Sequence, residues 1–380
     1  MSINLRSPYF ISEWATGLSY GTLDVSIWDG SSANPVTAQY NLRKSIISGG
    51  NRVTFEISEL IRDYLDINFN GSYTSQVVWV KTIVTLYNSS DGVISTKSPA
   101  PFLAFDGYSY FEEPTYNLEN ESILVSNREL FVLDDNIFRI PINTNNNPRI
   151  TFFLDNEIVS TQLFNSSLFT TEQIKYVSIY GFDINYDTFQ ERVLGDDGTF
   201  ENNSCLKSFL DTYSIGKVDK ITVVNDNGVI DSLTVRTIEE CKYEPKKVTF
   251  INKFGALQDM YFFKKSVEKM NVEKESYKSN IISSTGTYNS YNHVNRDFNV
   301  VGKESITLSS GFLSEEYNEV FKQMMLSEKV WVTNILETGE QVVPINVKTS
   351  EITYKTSLNN KLVEYTIEFD KSFDTINNIR

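Results

Sequence analysis

The 380-residue sequence predicts a mainly-β chain, built as several β-sandwich domains with a few short helices. Three observations predict it. The chain carries 25 Phe and 21 Tyr, and aromatic and β-branched residues suit a pleated, half-buried surface. Asn, Ser and Gly crowd the stretches between apolar runs, where tight turns need them. Many apolar runs alternate with polar residues at the strand period of two. Domains hold about 100–200 residues, so two to three are expected.

The first domain is expected over residues 1–112. Leu23 to Trp28 has strand character and ends at Asp29-Gly30. Val53, Phe55 and Ile57 alternate with polar residues. Ser58 offers an N-cap, and Leu60, Ile61, Tyr64 and Leu65 follow at helical spacing with Glu59 near the positive end. Gln76 to Tyr87 is apolar on both faces, which predicts cover on both. Asn88 to Gly92 then reads as a hairpin loop.

Residues 115–245 predict a second sandwich of immunoglobulin or fibronectin size, after prolines at 99, 101 and 114. Its expected strands are Phe131 to Leu133, Ile137 to Ile142, Ile150 to Leu154 and Tyr176 to Ile184, with a tight turn at Asp155-Asn156-Glu157. Ile221 to Val224 and Val229 to Val235 flank Asn227-Gly228, a pair that fits a type I′ turn.

The third domain spans 246–380. Strands are expected at Val248 to Ile251 and Met260 to Phe263. The polar, Ser-, Tyr- and Asn-rich stretch of about 270–300 predicts a long loop or a projecting hairpin, and segments of that length are usually functional. Tyr277, Tyr288, Tyr291 and His293 are its candidate contact residues. A helix is expected over 314–327, capped by Ser314, with Tyr317, Val320, Phe321, Met324 and Met325 as its apolar stripe. Strands follow at Val330 to Asn334, Val342 to Val347 and Glu351 to Lys355. A final core strand places Val363, Tyr365, Ile367 and Phe369 on one face.

The sequence offers little for catalysis. Its single histidine, His293, lies in a polar stretch, whereas Ser-His-Asp and Cys-His-Asn chemistry each need a histidine beside a nucleophile. One His and two distant Cys do not make a zinc site of the usual kind. Neither a Walker pattern nor G-x-G-x-x-G occurs. Asp134-Asp135-Asn136, Gly195-Asp196-Asp197-Gly198 and Asn225-Asp226-Asn227-Gly228 are oxygen-rich, but none matches the twelve-residue calcium loop, and such sequences form turns first. Neither a cofactor nor a metal is expected. A carboxylate pair for glycoside hydrolysis is a weaker reading that 49 acidic residues leave open.

The net charge of −15 argues against nucleic acid, because phosphate contact needs clustered Lys and Arg. The most apolar window, Val77 to Tyr87, is about half a membrane span, so no insertion is expected. The first residues lack the basic-then-apolar order of a signal peptide. Its absence predicts assembly in a cytoplasm, where Cys205 and Cys241 are expected as free thiols rather than one bridge.

Tyr243-Glu244-Pro245 leads into Val248-Thr249-Phe250-Ile251-Asn252-Lys253-Phe254-Gly255-Ala256. This resembles the strand–Asn–Lys/Arg–aromatic–Gly–Ala/Gly passage of tail and baseplate proteins of tailed bacteriophages. The run from Glu319 to Ser327, then Lys329 to Val332, Val343-Pro344-Ile345, Tyr354-Lys355-Thr356 and Leu362 to Phe369, is similar to the same group. The resemblance covers the last third well and the rest loosely. It implies a virion structural protein of the distal-tail or tail-tip type, a homo-oligomeric ring that contacts other virion proteins. The alternative is a module that binds a surface glycan or host receptor, since Tyr and Trp stack on sugars.

Overall fold

The computed structural model describes residues 2–29, 37–47, 50–74, 76–113, 121–134, 137–164, 174–180, 214–228, 230–336, 339–353 and 362–376. It is mainly β. The strands gather into four sheets of three or more strands and two small ribbons.

The first segment holds β1 (Ser2–Asn4), β2 (Phe10–Trp14), β3 (Tyr20–Trp28), β4 (Tyr40–Ser45) and β5 (Arg52–Glu56). After α1 (Ser58–Arg62) come β6 (Val77–Tyr87), β7 (Val93–Lys97) and β8 (Phe102–Phe105). One sheet runs β1-β8-β6-β3-β4 with β7 beside β6, and β2-β5 forms a separate ribbon. Leu23, Val25, Ile27, Val53, Phe55 and Val80 share the core of this segment. Two expectations are corrected here. Ser58 is the first helical residue, not the cap: Ile57 holds the cap position, and no side chain caps the helix. The Ser58 hydroxyl instead donates to Glu56. Strand β6 is buried on both faces only over Val77–Val80, then alternates, so half of it has a solvent side. The Asn88 to Gly92 loop forms as expected, with Asn88 Oδ1 accepting from the Ser90 and Gly92 amides at 2.9 and 2.8 Å.

The second segment holds β9 (Glu129–Leu133), β10 (Ile137–Asn143), β11 (Arg149–Leu154), β12 (Glu157–Leu163), β13 (Ile174–Tyr180), β14 (Ser214–Ile215), β15 (Lys220–Val224) and β16 (Ile230–Ile238). They form a five-stranded sheet, β12-β11-β15-β16-β9, and a three-stranded one, β10-β13-β14. The type I′ turn falls at a different place from the one Asn-Gly signals. Asp155 and Asn156, with φ of +53° and +66°, take it between β11 and β12. At Asn225 to Gly228 only Gly228 is left-handed, at +74°, and Asn225 Oδ1 accepts from Asn227 N–H at 3.1 Å. Gly195 to Gly198, Asp135, Asn136, Cys205 and Ile184 lie outside the described residues; Cys241 is a free, exposed thiol.

The third segment holds β17 (Lys246–Ile251), β18 (Leu257–Phe262), β19 (Val267–Lys278), β20 (Asn295–Ser309), β21 (Leu313–Ser314), α2 (Tyr317–Met325), β22 (Val330–Leu336), β23 (Gly339–Val347), β24 (Leu362–Val363) and β25 (Thr366–Lys371). Seven strands form one sheet, β18-β17-β22-β23-β25-β20-β19, and β21 pairs β24. Three further expectations change. Ser314 sits in β21, and Glu316 takes the N-cap position of α2 without a side-chain cap. Residues Glu351 to Thr353 are not strand, and Tyr354 and Lys355 lie outside the described residues. The last core strand is two pieces, because Tyr365 gives its main chain to Ser310: its N–H donates to Ser310 Oγ at 3.1 Å and its C=O accepts from Ser310 N–H at 2.9 Å. The core face survives the break, with Val363, Tyr365, Ile367 and Phe369 all buried.

A single hydrophobic core runs from Ile123 to Phe369 and joins the second and third segments. A smaller cluster, including Phe69, Trp79, Phe105, Tyr176, Phe254 and Trp331, ties all three. The turn Asn252 to Ala256 explains its residues at this junction. Asn252 is fully buried; its Nδ2 donates to Leu124 O and Gln258 Oε1, and its Oδ1 accepts from the Phe254 and Ala256 amides. Gly255 has φ +75°, and a Cβ there would meet Asp106 N at 2.8 Å. A polar tie crosses the same junction. Tyr73 O–H and Thr249 O–H donate to Asp259 Oδ1 at 2.5 and 2.8 Å, and the Arg139 guanidinium lies 4.4 Å from the Tyr73 ring centre.

Candidate functional site

The stretch expected as a loop or hairpin is a hairpin, and it begins earlier than expected. Strands β19 and β20 pair from Val267–Thr307 to Lys278–Asn295. Every residue of β19 is exposed. At the other end β20 enters the core through Ile306 and Leu308 and pairs with β25. The arm therefore projects from the edge of the seven-stranded sheet. Its one irregularity lies on β20: Lys274 alone opposes Asn299 and Val300, and Asn299 is left-handed at +52°.

Local contacts join the two strands of the arm. Tyr277 and Phe298 meet edge-to-face with centroids 5.6 Å apart. Lys274 Nζ pairs with Asp297 at 2.7 Å and Lys303 Nζ with Glu273 at 3.3 Å. At the tip, Ser283, Thr285 and Thr287 hydroxyls join one another, and Gly286 turns the chain with φ +76°.

The four candidate residues share the arm but not one spot. Tyr277 stands on β19, half exposed. Tyr288 and Tyr291 lie in the tip, 72% and 77% exposed, and Asn289 Nδ2 donates to the Tyr291 hydroxyl at 2.8 Å. His293 is exposed, and its carbonyl accepts from Arg296 Nε. Residue type alone missed Val267, Met270, Val272 and Phe298, which are 39–55% exposed. A signal was present, since Met270 and Val272 alternate with Lys269, Asn271 and Glu273 at strand period.

Two recesses can be named, one beside the arm and one at the first segment. One, of about 230 Å³, is lined by Glu268, Met270, Glu304, Ile306, Val332 and Ile345. Lining from both β19 and β22 shows that the sheet curls. The other, of about 540 Å³, lies between Arg6, Phe10, Glu56, Glu59, Arg62 and Glu328. Two of its carboxylates are engaged within the fold, Glu56 by Ser58 and Glu328 by Arg62. Arg62 reaches Glu328 at 2.6 Å and Asp106 at 2.8 Å. The same arginine leaves the two acids shifted in opposite directions. Burial pushes Asp106 up, more than Arg62 draws it down. Glu328, more than half exposed, is held below the usual range by its hydrogen bond to Arg62. Among the described residues, no three His, Cys, Asp or Glu side chains gather as a metal site, and no helix is long and apolar enough to cross a membrane.

No family model matches the chain, and no curated protein matches it.

Proposed function

We propose that this chain is a structural component of a phage tail or baseplate, built into a symmetric ring that connects tail parts, with the β19–β20 arm as an assembly surface. The arm carries the reading. An isolated two-stranded hairpin is marginal in water, yet this one holds Met270, Val272, Ile282, Tyr288, Tyr291 and Phe298 at 45–77% exposure. Apolar side chains gathered on one projecting hairpin support an interaction surface there. The sequence resemblance supplies the setting, a virion assembled in the host cytoplasm. The test is deletion of residues 274–299. The expected outcome is a folded, soluble chain that no longer enters particles; normal incorporation overturns the proposal. Electron microscopy of the intact protein should show closed rings.

One observation favours glycan binding as a second reading. Phe10, Ser12 and Trp14 share the outer face of β2, and the two aromatics are 58% and 60% exposed. Along a strand they stand about 13 Å apart, a span of two to three sugar rings. Titration of surface polysaccharide against tryptophan fluorescence, with Trp14→Ala as control, decides that reading.

A further inference from the structure

We infer that the outer edge of β19 binds the β19 edge of a second copy of this chain, antiparallel, about a two-fold axis at Asn271. This rests on the reading of the arm as an assembly surface and names its partner.

The edge is open and its polarity is fixed. Among the described residues, β19 is the last strand of its sheet. Ser279 N–H donates to Val294 C=O at 2.7 Å. In an antiparallel ladder such inward groups alternate with outward ones, so even-numbered residues of β19 face the free edge. Gly302 agrees: it opposes Val272, and its carbonyl turns away from β19 to accept from Thr375 N–H at 2.8 Å. The bulge lies on β20, so the alternation along β19 is unbroken.

A second β19 must oppose outward residues to outward residues. Every axis centred on a residue meets that condition; every axis between residues fails it. The axis at Asn271 opposes Met270 to Val272, Lys269 to Glu273 and Glu268 to Lys274, each twice by symmetry. Both charge pairings are of opposite sign. An axis at Met270 forms no such pair, and one at Val272 forms only Lys269 with Glu275. An axis at Glu273 sets that carboxylate against itself. Opposite charges directly across a ladder stabilise it and like charges destabilise it. Met270 and Val272, 55% and 53% exposed, would meet their counterparts on one face as an apolar quartet.

The arm is also the part of the chain that a like-charged copy can approach. Lys269, Lys274, Lys278, Arg296 and Lys303 balance Glu268, Glu273, Glu275, Asp297 and Glu304, so residues 267–304 are neutral while the whole chain carries −15. Charges on an edge strand commonly prevent edge pairing. Here their spacing is complementary to itself in one register, which selects a partner instead. The two-fold contact leaves other faces free to close a ring, and it would join two rings back to back.

Cross-linking tests the register on the full chain with Cys205→Ser and Cys241→Ser. Opposed residues that do not exchange hydrogen bonds lie about 4.5 Å apart at Cα, within disulfide range. Asn271→Cys is therefore expected to form a symmetric disulfide dimer under mild oxidation, of twice the 43.5 kDa chain mass. Tyr277→Cys is the control, since its two copies would stand roughly 40 Å apart. Lys269→Glu, which opposes carboxylate to carboxylate, should weaken the dimer about tenfold by mass photometry. Lys269→Glu with Glu273→Lys should restore it, because the exposed Lys303 pair that Glu273 gives up contributes little. A strictly monomeric wild-type chain, cross-linking at position 277 and not 271, or a charge swap that restores nothing would each overturn the inference. A dimer that forms in vitro while the 274–299 deletion enters particles normally would sink the proposed function and leave the contact standing.

Discussion

The two ends of the seven-stranded sheet are opposites. At one end β18 is buried at all six positions, including Gln258 and Asp259. The Tyr176 hydroxyl accepts from Leu257 N–H at 3.0 Å, and the Tyr261 hydroxyl donates to Ile137 O at 2.6 Å. Other segments have covered that end. At the other end all twelve positions of β19 are exposed. A covered edge gives its polar groups to its own chain and builds the core. An open edge keeps them available for another strand. Stability should thus concentrate at β18 and association at β19.

Substitutions can break that division. The largest effect should come near β18. Phe262 is 1% exposed and meets Phe321 and Phe369 edge-to-face at 6.2 and 6.1 Å. Phe262→Ala should cost about 3–5 kcal/mol in denaturant unfolding. Next, Tyr73→Phe removes a donor from the buried Asp259 carboxyl and should cost about 1–3 kcal/mol by the same measurement.

Alkaline pH strains the same buried side. Burial, then the Asp259 charge, pushes the Tyr73 phenol well above 10.0, and burial pushes Tyr108 up to about 12. The folded state holds those protons more tightly than the unfolded chain. The Tyr108 contribution is complete below pH 10.0 and is lost as pH climbs through about 12. Unfolding free energies across that window should fall, and Tyr108→Phe should flatten the slope.

Smaller effects are expected at exposed groups. Glu328 is held low by Arg62, so its contribution is present above the ordinary glutamate range and is lost as pH falls through the lowered value. Glu328→Gln should cost under about 1 kcal/mol at neutral pH, because the pair is more than half exposed on the Glu328 side. Smallest of all, Tyr288→Ser at the arm tip should leave the unfolding free energy within about 0.5 kcal/mol. A large loss there would mean that the arm supports the fold, and the contrast between the two edges would fail.

Much of the fold was legible wherever a local period had a local cause. The strand from Leu23 to Trp28, the Asn88 loop and the apolar stripe of α2 needed only neighbouring residues. The failures have both local and non-local causes. Ser58 and Ser314 have cap chemistry, but Glu56 takes one hydroxyl and the β21–β24 ribbon takes the other residue. The break at Tyr365 depends on Ser310, 55 residues away. The arm was legible as a long polar stretch rich in Tyr and Ser, while its apolar strand residues were not, because exposure is a property of neighbours.

By itself the sequence determined the strand-rich class, the turn positions and the face that Val363, Tyr365, Ile367 and Phe369 turn inward, because side-chain direction along a strand is set by local geometry. Only the tertiary structure decided which edges are covered. Strand order depends on partners far along the chain, and β19 keeps one edge that no strand among the described residues fills.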